Sequence, residues 1–289
     1  MQIECTKLCI LSAVKQAYSC LWHYKLQHIL IALVAALPFC LAGFLGGLDT
    51  VFSVTARDQP LPEGFNLSFT LLVLTTFIWA FPVIILWHRL YLLGPEHLIR
   101  RKIWPLITRS LNVISHSLIF FGFGLVTAVL MTAGIVYLRI NTESAAMAGT
   151  ISELGQMEAA LYSIGALIVV CFLLIIGLRL SMAFAAQSIG KTLGFTVSWR
   201  MTRKNTFRML IATILVISPL LALDGALIWA ADHFWQIDLI NGTAPNPDMM
   251  YLFVYLTAPL ITLPLAALCS LTSSFYRHCG CAEFRSSLA

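Results

Sequence analysis

Charge is what this sequence has least of. Only 11% of its 289 residues are Asp, Glu, Lys or Arg, whereas 59% are hydrophobic. A soluble domain carries about 25% charged residues. So few charges cannot cover the outside of a water-soluble core of this composition, and lipid is the solvent that removes the conflict. No long polar stretch is available to form a separate soluble domain. Also missing are a Walker loop, a nucleophile elbow, a Rossmann fingerprint and a paired-carboxylate site, so no recognised catalytic pattern points to an enzyme. The eight cysteines (5, 9, 20, 40, 171, 269, 279, 281) contain no CxxC pair. Six of them read as reduced thiols in the membrane or on its inner side, and the CxC of Cys279 and Cys281 reads as interfacial thiols in preference to a metal or lipid site. His28, His88, His116 and His278 form no HExxH or HxxxH pair. No metal and no cofactor is expected.

What the chain has instead is long apolar runs. Six of them, near 28–47, 69–90, 113–138, 159–183, 208–230 and 251–275, can cross the roughly 30 Å of a bilayer core, which takes about 20 residues. The first is too long, and begins too late, for a cleavable signal peptide. The expected fold is all-α: a polytopic membrane helix bundle, a single integral membrane domain over residues 1–289.

Orientation comes from the basic residues. Lys7, Lys15 and Lys25 precede the first run. Arg89, Arg100, Arg101, Lys102 and Arg109 lie between the second and third. Arg179, Lys191, Arg200, Arg203, Lys204 and Arg208 lie between the fourth and fifth, and Arg277 and Arg285 follow the sixth. Of the 18 Lys and Arg, only Arg57 and Arg139 fall on the other side. The acids run the opposite way, with only Glu4, Glu96 and Glu283 on the basic side. Both termini are therefore expected to be cytoplasmic. The asymmetry accounts for the net charge of +5 without nucleic acid. Trp22, Trp87, Trp104 and Trp199 fall at the inner boundary and Trp229 and Trp235 at the outer one, the depth Trp prefers. Trp79 falls mid-span and reads as a helix-packing residue.

The basic segments also look amphipathic. Residues 5–22 set Leu8, Leu11, Val14, Tyr18 and Leu21 on one stripe; residues 96–111 and 186–204 offer similar patterns, the latter through Ile189, Leu193, Val197 and Met201. Such helices lie in the interface with their basic groups toward anionic headgroups. Each precedes two spans that end in a basic group: Trp87-His88-Arg89, Leu178-Arg179 and Tyr276-Arg277. The pattern predicts six transmembrane helices as three hairpins, a threefold repeat of interfacial helix, span and span.

Ser198-Trp199-Arg200-Met201-Thr202-Arg203-Lys204-Asn205, with Phe207-Arg208-Met209-Leu210 after it, resembles an element that precedes the fifth span in uncharacterised six-span bacterial inner-membrane proteins. These are related to the membrane domain of glycerophosphoryl diester phosphodiesterases and to YciC-like families. Leu86-Trp87-His88-Arg89-Leu90-Tyr91-Leu92-Leu93-Gly94 and Arg179-Leu180-Ser181 resemble the same group. The resemblance implies a bacterial inner membrane and brings no activity. The soluble phosphodiesterase barrel is absent, and its catalytic residues have no counterpart here.

Arg179, Arg89, Arg200, Arg203 and Lys204 are the candidate contacts for a lipid phosphate or another anion, since guanidinium groups hold phosphate in two-point fashion. Asp224, about 24 Å along its helix from Arg208, is the candidate intramembrane acid. Pro38, Pro82, Pro219, Pro259 and Pro264 interrupt four spans and either break helices around a substrate or form kinks whose backbone groups neighbours satisfy. The expected function is a non-enzymatic accessory, assembly or lipid-organising protein. Its expected partners are anionic membrane lipids and a membrane protein. The alternative is a small transporter or channel for a lipid or anion.

Overall fold

The computed structural model describes residues 7–46, 65–98, 108, 174–191, 193–238 and 245–279. These residues are helical, without a strand. In chain order they form α1 (Ile10–His23), α2 (Lys25–Gly46), α3 (Phe65–Leu93), α4 (Leu174–Ser188), α5 (Phe195–Thr202), α6 (Thr206–Trp235), α7 (Pro247–Ile261) and α8 (Leu263–Cys279).

Two stretches are long and apolar enough to cross a membrane, Thr206–Trp235 and Asp248–Cys279, and α1 with α2 makes a third if the bent pair counts as one span. The apolar runs near 28–47, 69–90 and 208–230 fall within α2, α3 and α6. The run near 251–275 is two helices, because Pro264 has no N–H to continue α7 past Thr262. The run at 113–138 and most of the run at 159–183 lie outside the described residues. The amphipathic segment expected over 96–111 is described only by a 3-10 turn at Pro95–His97 and a few residues beside it. The one expected over 186–204 is not a single helix. Gly190, at φ 83°, ends α4: its N–H bonds the Gln187 carbonyl at 3.0 Å and the Lys191 N–H bonds that of Ala186 at 3.0 Å. Only glycine adopts that left-handed turn without strain. Helix resumes at Phe195.

The α1 helix bends from α2 by 80° at Tyr24. It lies across the bundle and packs on α8 and α6, while α2 packs on α3 and α7, and α8 also packs on α3 and α6. The core gathers where α1, α3, α6 and α8 meet. Most of the expected stripe on α1 faces the core, with Leu8 buried and Val14 and Tyr18 packed against it, but Leu11 does not. Ala13, Ala17 and Leu21 are buried, whereas Leu11 is 76% exposed. Small side chains let α1 approach α8 closely, which is how membrane helices associate where lipid is as apolar as leucine. Trp87 is likewise a core residue, fully buried, and not an interfacial anchor. Trp22 and Trp199 do face outward.

Prolines inside the helices are served by their neighbours. Pro38 cannot donate to the Val34 carbonyl, and Trp79 Nε1 does so from α3 at 2.8 Å. The mid-span tryptophan thus has a polar task as well as a packing one. At the break between α7 and α8, His28 Nε2 donates to the Pro259 carbonyl at 2.7 Å.

Candidate interfacial site

Four hydrogen-bonded joints bring the basic ends of separate helices to one end of the bundle. The Ser270 hydroxyl bonds the Ala17 carbonyl at 3.2 Å, and the Ser274 hydroxyl bonds Gln16 Oε1 at 2.7 Å, which ties α8 to α1. Ser273 meets His88 Nδ1 at 2.9 Å, and Arg277 donates to the Tyr91 carbonyl and, at 3.2 Å, to that of Leu92. These last-turn carbonyls of α3 have no partner in their own helix. The α3 helix stops at Gly94, φ 93°, followed by Pro95, and Arg89 folds onto the turn beyond, with Nη2 donating to the His97 carbonyl at 2.6 Å.

The third joint lies at the start of α6. Asn205 does not cap its own helix. Its Oδ1 accepts the Leu8 N–H at 2.9 Å, while Arg208 Nη1 donates to the Leu8 carbonyl at 2.7 Å. Both backbone groups of Leu8 are thereby held by side chains some two hundred positions away. Tyr18 adds a bond to the Val216 carbonyl at 2.9 Å. Burial pushes its phenol above the ordinary value, so the hydroxyl stays protonated and donates.

The fourth joint holds α4 to α5. The Arg179 guanidinium lies 3.5 Å from the centre of the Trp199 ring, and its Nη2 donates to the Trp199 carbonyl at 2.8 Å. Ser198 Oγ returns a bond to the Arg179 carbonyl at 2.6 Å, and Thr202 Oγ1 bonds back to Ser198.

These joints divide the segment 198–208 into two sets. Ser198, Trp199, Asn205 and Arg208 hold neighbouring elements together, while the Thr202 side chain bonds back within α5. Arg200, Arg203 and Lys204 are exposed. Because Leu8 is pinned beside Asn205, the exposed Lys7 joins them, and Phe207 and Leu11 stand outward with large apolar surfaces. At the far end of α1, the exposed Trp22 ring lies with its centre 4.6 Å from the ammonium of Lys25, the first residue of α2. Basic groups interleaved with exposed aromatic and aliphatic ones suit the depth at which headgroup phosphates meet acyl chains.

Of the candidate anion contacts, Arg200, Arg203 and Lys204 share this face. Arg179 is beside it, half-buried and already committed to Trp199. Arg89 is apart, buried within the α3 turn. The joint with Lys7 could not be seen in sequence; Asn205 and Arg208 had no marker of a partner near residue 8. Asp224 is far from this face, on α6, half-buried, with Oδ1 enclosed and without a hydrogen-bond partner. Among the described residues no three His, Cys, Asp or Glu side chains come together as metal ligands. Cys9, Cys20, Cys40 and Cys269 are free thiols. Cys279 is disulfide-bonded, not the interfacial thiol expected of it, and its partner lies outside the described residues.

No protein-family model, curated protein or solved structure matches this chain.

Proposed function

We propose that this chain is a non-enzymatic inner-membrane protein of bacteria. Its six spans run as three hairpins with both termini cytoplasmic, and its exposed basic face binds anionic lipid headgroups. It acts as an accessory, assembly or lipid-organising component beside a membrane-protein partner.

One observation carries the reading: basic residues gather at the same end of the bundle whichever way their helix runs. Lys204 and Arg208 flank the N-terminus of α6, and Asp232 lies in its last turn with Asp238 beyond. A helix dipole favours the reverse, acids first and bases last, by about 0.3–1 kcal/mol each. Arg277 and His278 sit at the C-terminus of α8, where the dipole favours them. Helix stability cannot account for both placements. A membrane with an anionic inner leaflet and a positive-inside rule accounts for both.

The test is lipid retention by the purified protein in native mass spectrometry, with phosphatidylglycerol against phosphatidylcholine. Changing Arg200, Arg203 and Lys204 together to Gln is expected to lower phosphatidylglycerol retention at least about tenfold, since each charge near an anionic surface contributes about 1 kcal/mol. Unchanged retention, or no preference in the parent protein, overturns the reading.

Asp224 supports the second reading, a transporter or channel for a lipid or anion. An enclosed, unpartnered carboxylate oxygen in an apolar helix is expensive, and such groups mark ion paths. Liposome flux that is lost in Asp224→Asn would favour transport over the accessory role.

A further inference from the structure

Apart from the basic face, three side chains around the α1–α2 elbow are buried with polar atoms that no partner among the described residues satisfies. Trp87 is 0% exposed, Tyr91 2% and His28 5%. Trp87 Nε1, Tyr91 OH and His28 Nδ1 each have no hydrogen-bond partner. The three are neighbours. Trp87 and Tyr91 are one turn apart on α3, and the His28 ring stacks on that of Trp87, centroids 6.0 Å apart and planes within 21°. Tyr91 reaches Tyr24, the elbow residue itself, at 6.4 Å between centroids.

Their chemistry is complementary. The Pro259 carbonyl can only accept, so His28 Nε2 carries the proton in that bond and Nδ1 is an acceptor. The Trp87 indole can only donate, and the Tyr91 phenol can do either. A buried polar group left without a partner costs about 1–3 kcal/mol, and these three lie on facing turns of α2 and α3. An occupant with both lone pairs and a proton removes all three penalties. A hydroxyl group has both: it can accept from Trp87 Nε1 and Tyr91 and donate to His28 Nδ1. A carboxylate or phosphate would leave His28 Nδ1 facing negative charge with no proton to accept.

We propose that His28, Trp87 and Tyr91 enclose a binding site for a hydroxyl group, supplied by an ordered water or by the glycerol hydroxyl of a lipid headgroup. The occupant joins the α1–α2 elbow to α3 near the break between α7 and α8. Buried water of this kind makes about three hydrogen bonds and belongs to the structure. The site owes nothing to the lipid platform of the preceding section.

Radiolytic hydroxyl-radical footprinting tests it on the full chain in lipid nanodiscs, because radicals formed from bound water oxidise residues that bulk solvent does not reach. Phe275, also fully buried, is the internal reference. If water is the occupant, Trp87 and Tyr91 are oxidised about tenfold more than Phe275, and the adducts carry 18O after equilibration in labelled water. If a headgroup hydroxyl is the occupant, they are not oxidised above Phe275. Native mass spectrometry then shows a retained glycerol-headgroup lipid that the Trp87→Phe/Tyr91→Phe double variant loses, with the parent's melting temperature within a few degrees. Oxidation at the Phe275 level together with no lipid lost in the double variant overturns the proposal. Should the double variant fail to fold, Trp87→Phe alone serves the lipid arm, and the footprint of the parent protein needs no variant.

Discussion

The two halves of the last long apolar stretch differ sharply. In α8, almost every residue from Ala266 to Tyr276 is buried, and the run includes Ser270, Thr272, Ser273 and Ser274. In α7, Leu252, Leu256 and Leu260 are exposed, and Tyr251 and Ala258 are among the few enclosed residues. The α6 helix repeats the contrast. Met209, Ala212, Thr213 and Val216 are buried in its first part, and of the rest only Ala231 is. In the last stretch, the hydroxyl-rich helix is the one enclosed by protein, and the leucines of its neighbour are bare. In water the order would be reversed. In a membrane, apolar side chains gain little by leaving lipid, while hydroxyl and imidazole groups gain partners only from other helices. The α1 end is where the polar groups of α8 find those partners.

The strongest way to break that contrast is to place the same substitution on each side of it. Ala17→Leu adds three carbons where α1 approaches the Ser270 hydroxyl with no space. It should destabilise by about 3 kcal/mol, the upper range for overpacking. Ala222→Leu, on the bare part of α6, should change stability by no more than about 0.5 kcal/mol. Thermal unfolding of the two variants in the same detergent decides it, and equal shifts would show that the enclosed end is not the stabilised one.

Next in size is the strap at Leu8. Asn205→Ala leaves the buried Leu8 N–H without an acceptor, for about 1–3 kcal/mol. Hydrogen exchange over residues 8–13 should accelerate more than tenfold, while the α2–α7 contact keeps its protection. Uniform acceleration over the whole chain would mean that the strap is not local.

Physical reasons separate what the sequence discloses from what it hides. Apolar length marks α6 and the stretch of α7 and α8 well, because span length depends on bilayer thickness alone. Periodicity in α1 placed Leu8, Val14, Tyr18 and Leu21 correctly and misplaced one residue. Leu11 lies on the apolar stripe yet points outward, while Ala13 and Ala17 take the protein-facing positions. A stripe of large apolar residues signals the buried face only where the other face meets water. The split of 186–204 into two helices was visible in Gly190, a glycine at the end of an apolar run, but the amphipathic pattern continued past it. The site was half legible. Arg200, Arg203 and Lys204 are clustered in sequence, but Lys7 joins them through Asn205 and Arg208. Side chains that accept from or donate to a remote backbone leave no trace in local pattern.

A smaller test concerns Trp79. Trp79→Phe keeps the ring and removes the donor to the Val34 carbonyl, which Pro38 cannot serve. The expected loss is about 1 kcal/mol. In the double variant with Pro38→Ala, the restored backbone N–H supplies the missing donor, and the loss caused by Trp79→Phe should vanish. Additive effects of the two changes would show that Trp79 acts by packing alone.

The smallest expected effect lies at the far end of α6 and has the opposite sign. Gln236 ends the helix at φ 54° and ψ 32°, with its N–H bonded to the Asp232 carbonyl at 3.1 Å. A left-handed turn strains any residue with a Cβ by roughly 1 kcal/mol, and glycine relieves it. The gain is partly offset by the greater freedom of glycine in the unfolded chain. Gln236→Gly should therefore stabilise by about 0.5 kcal/mol, read as a rise in melting temperature of roughly a degree or two. The Gln236 side chain is itself exposed, so the backbone term should appear there undiluted. A fall in melting temperature would mean that the Gln236 side chain makes a contact worth more than the strain it imposes.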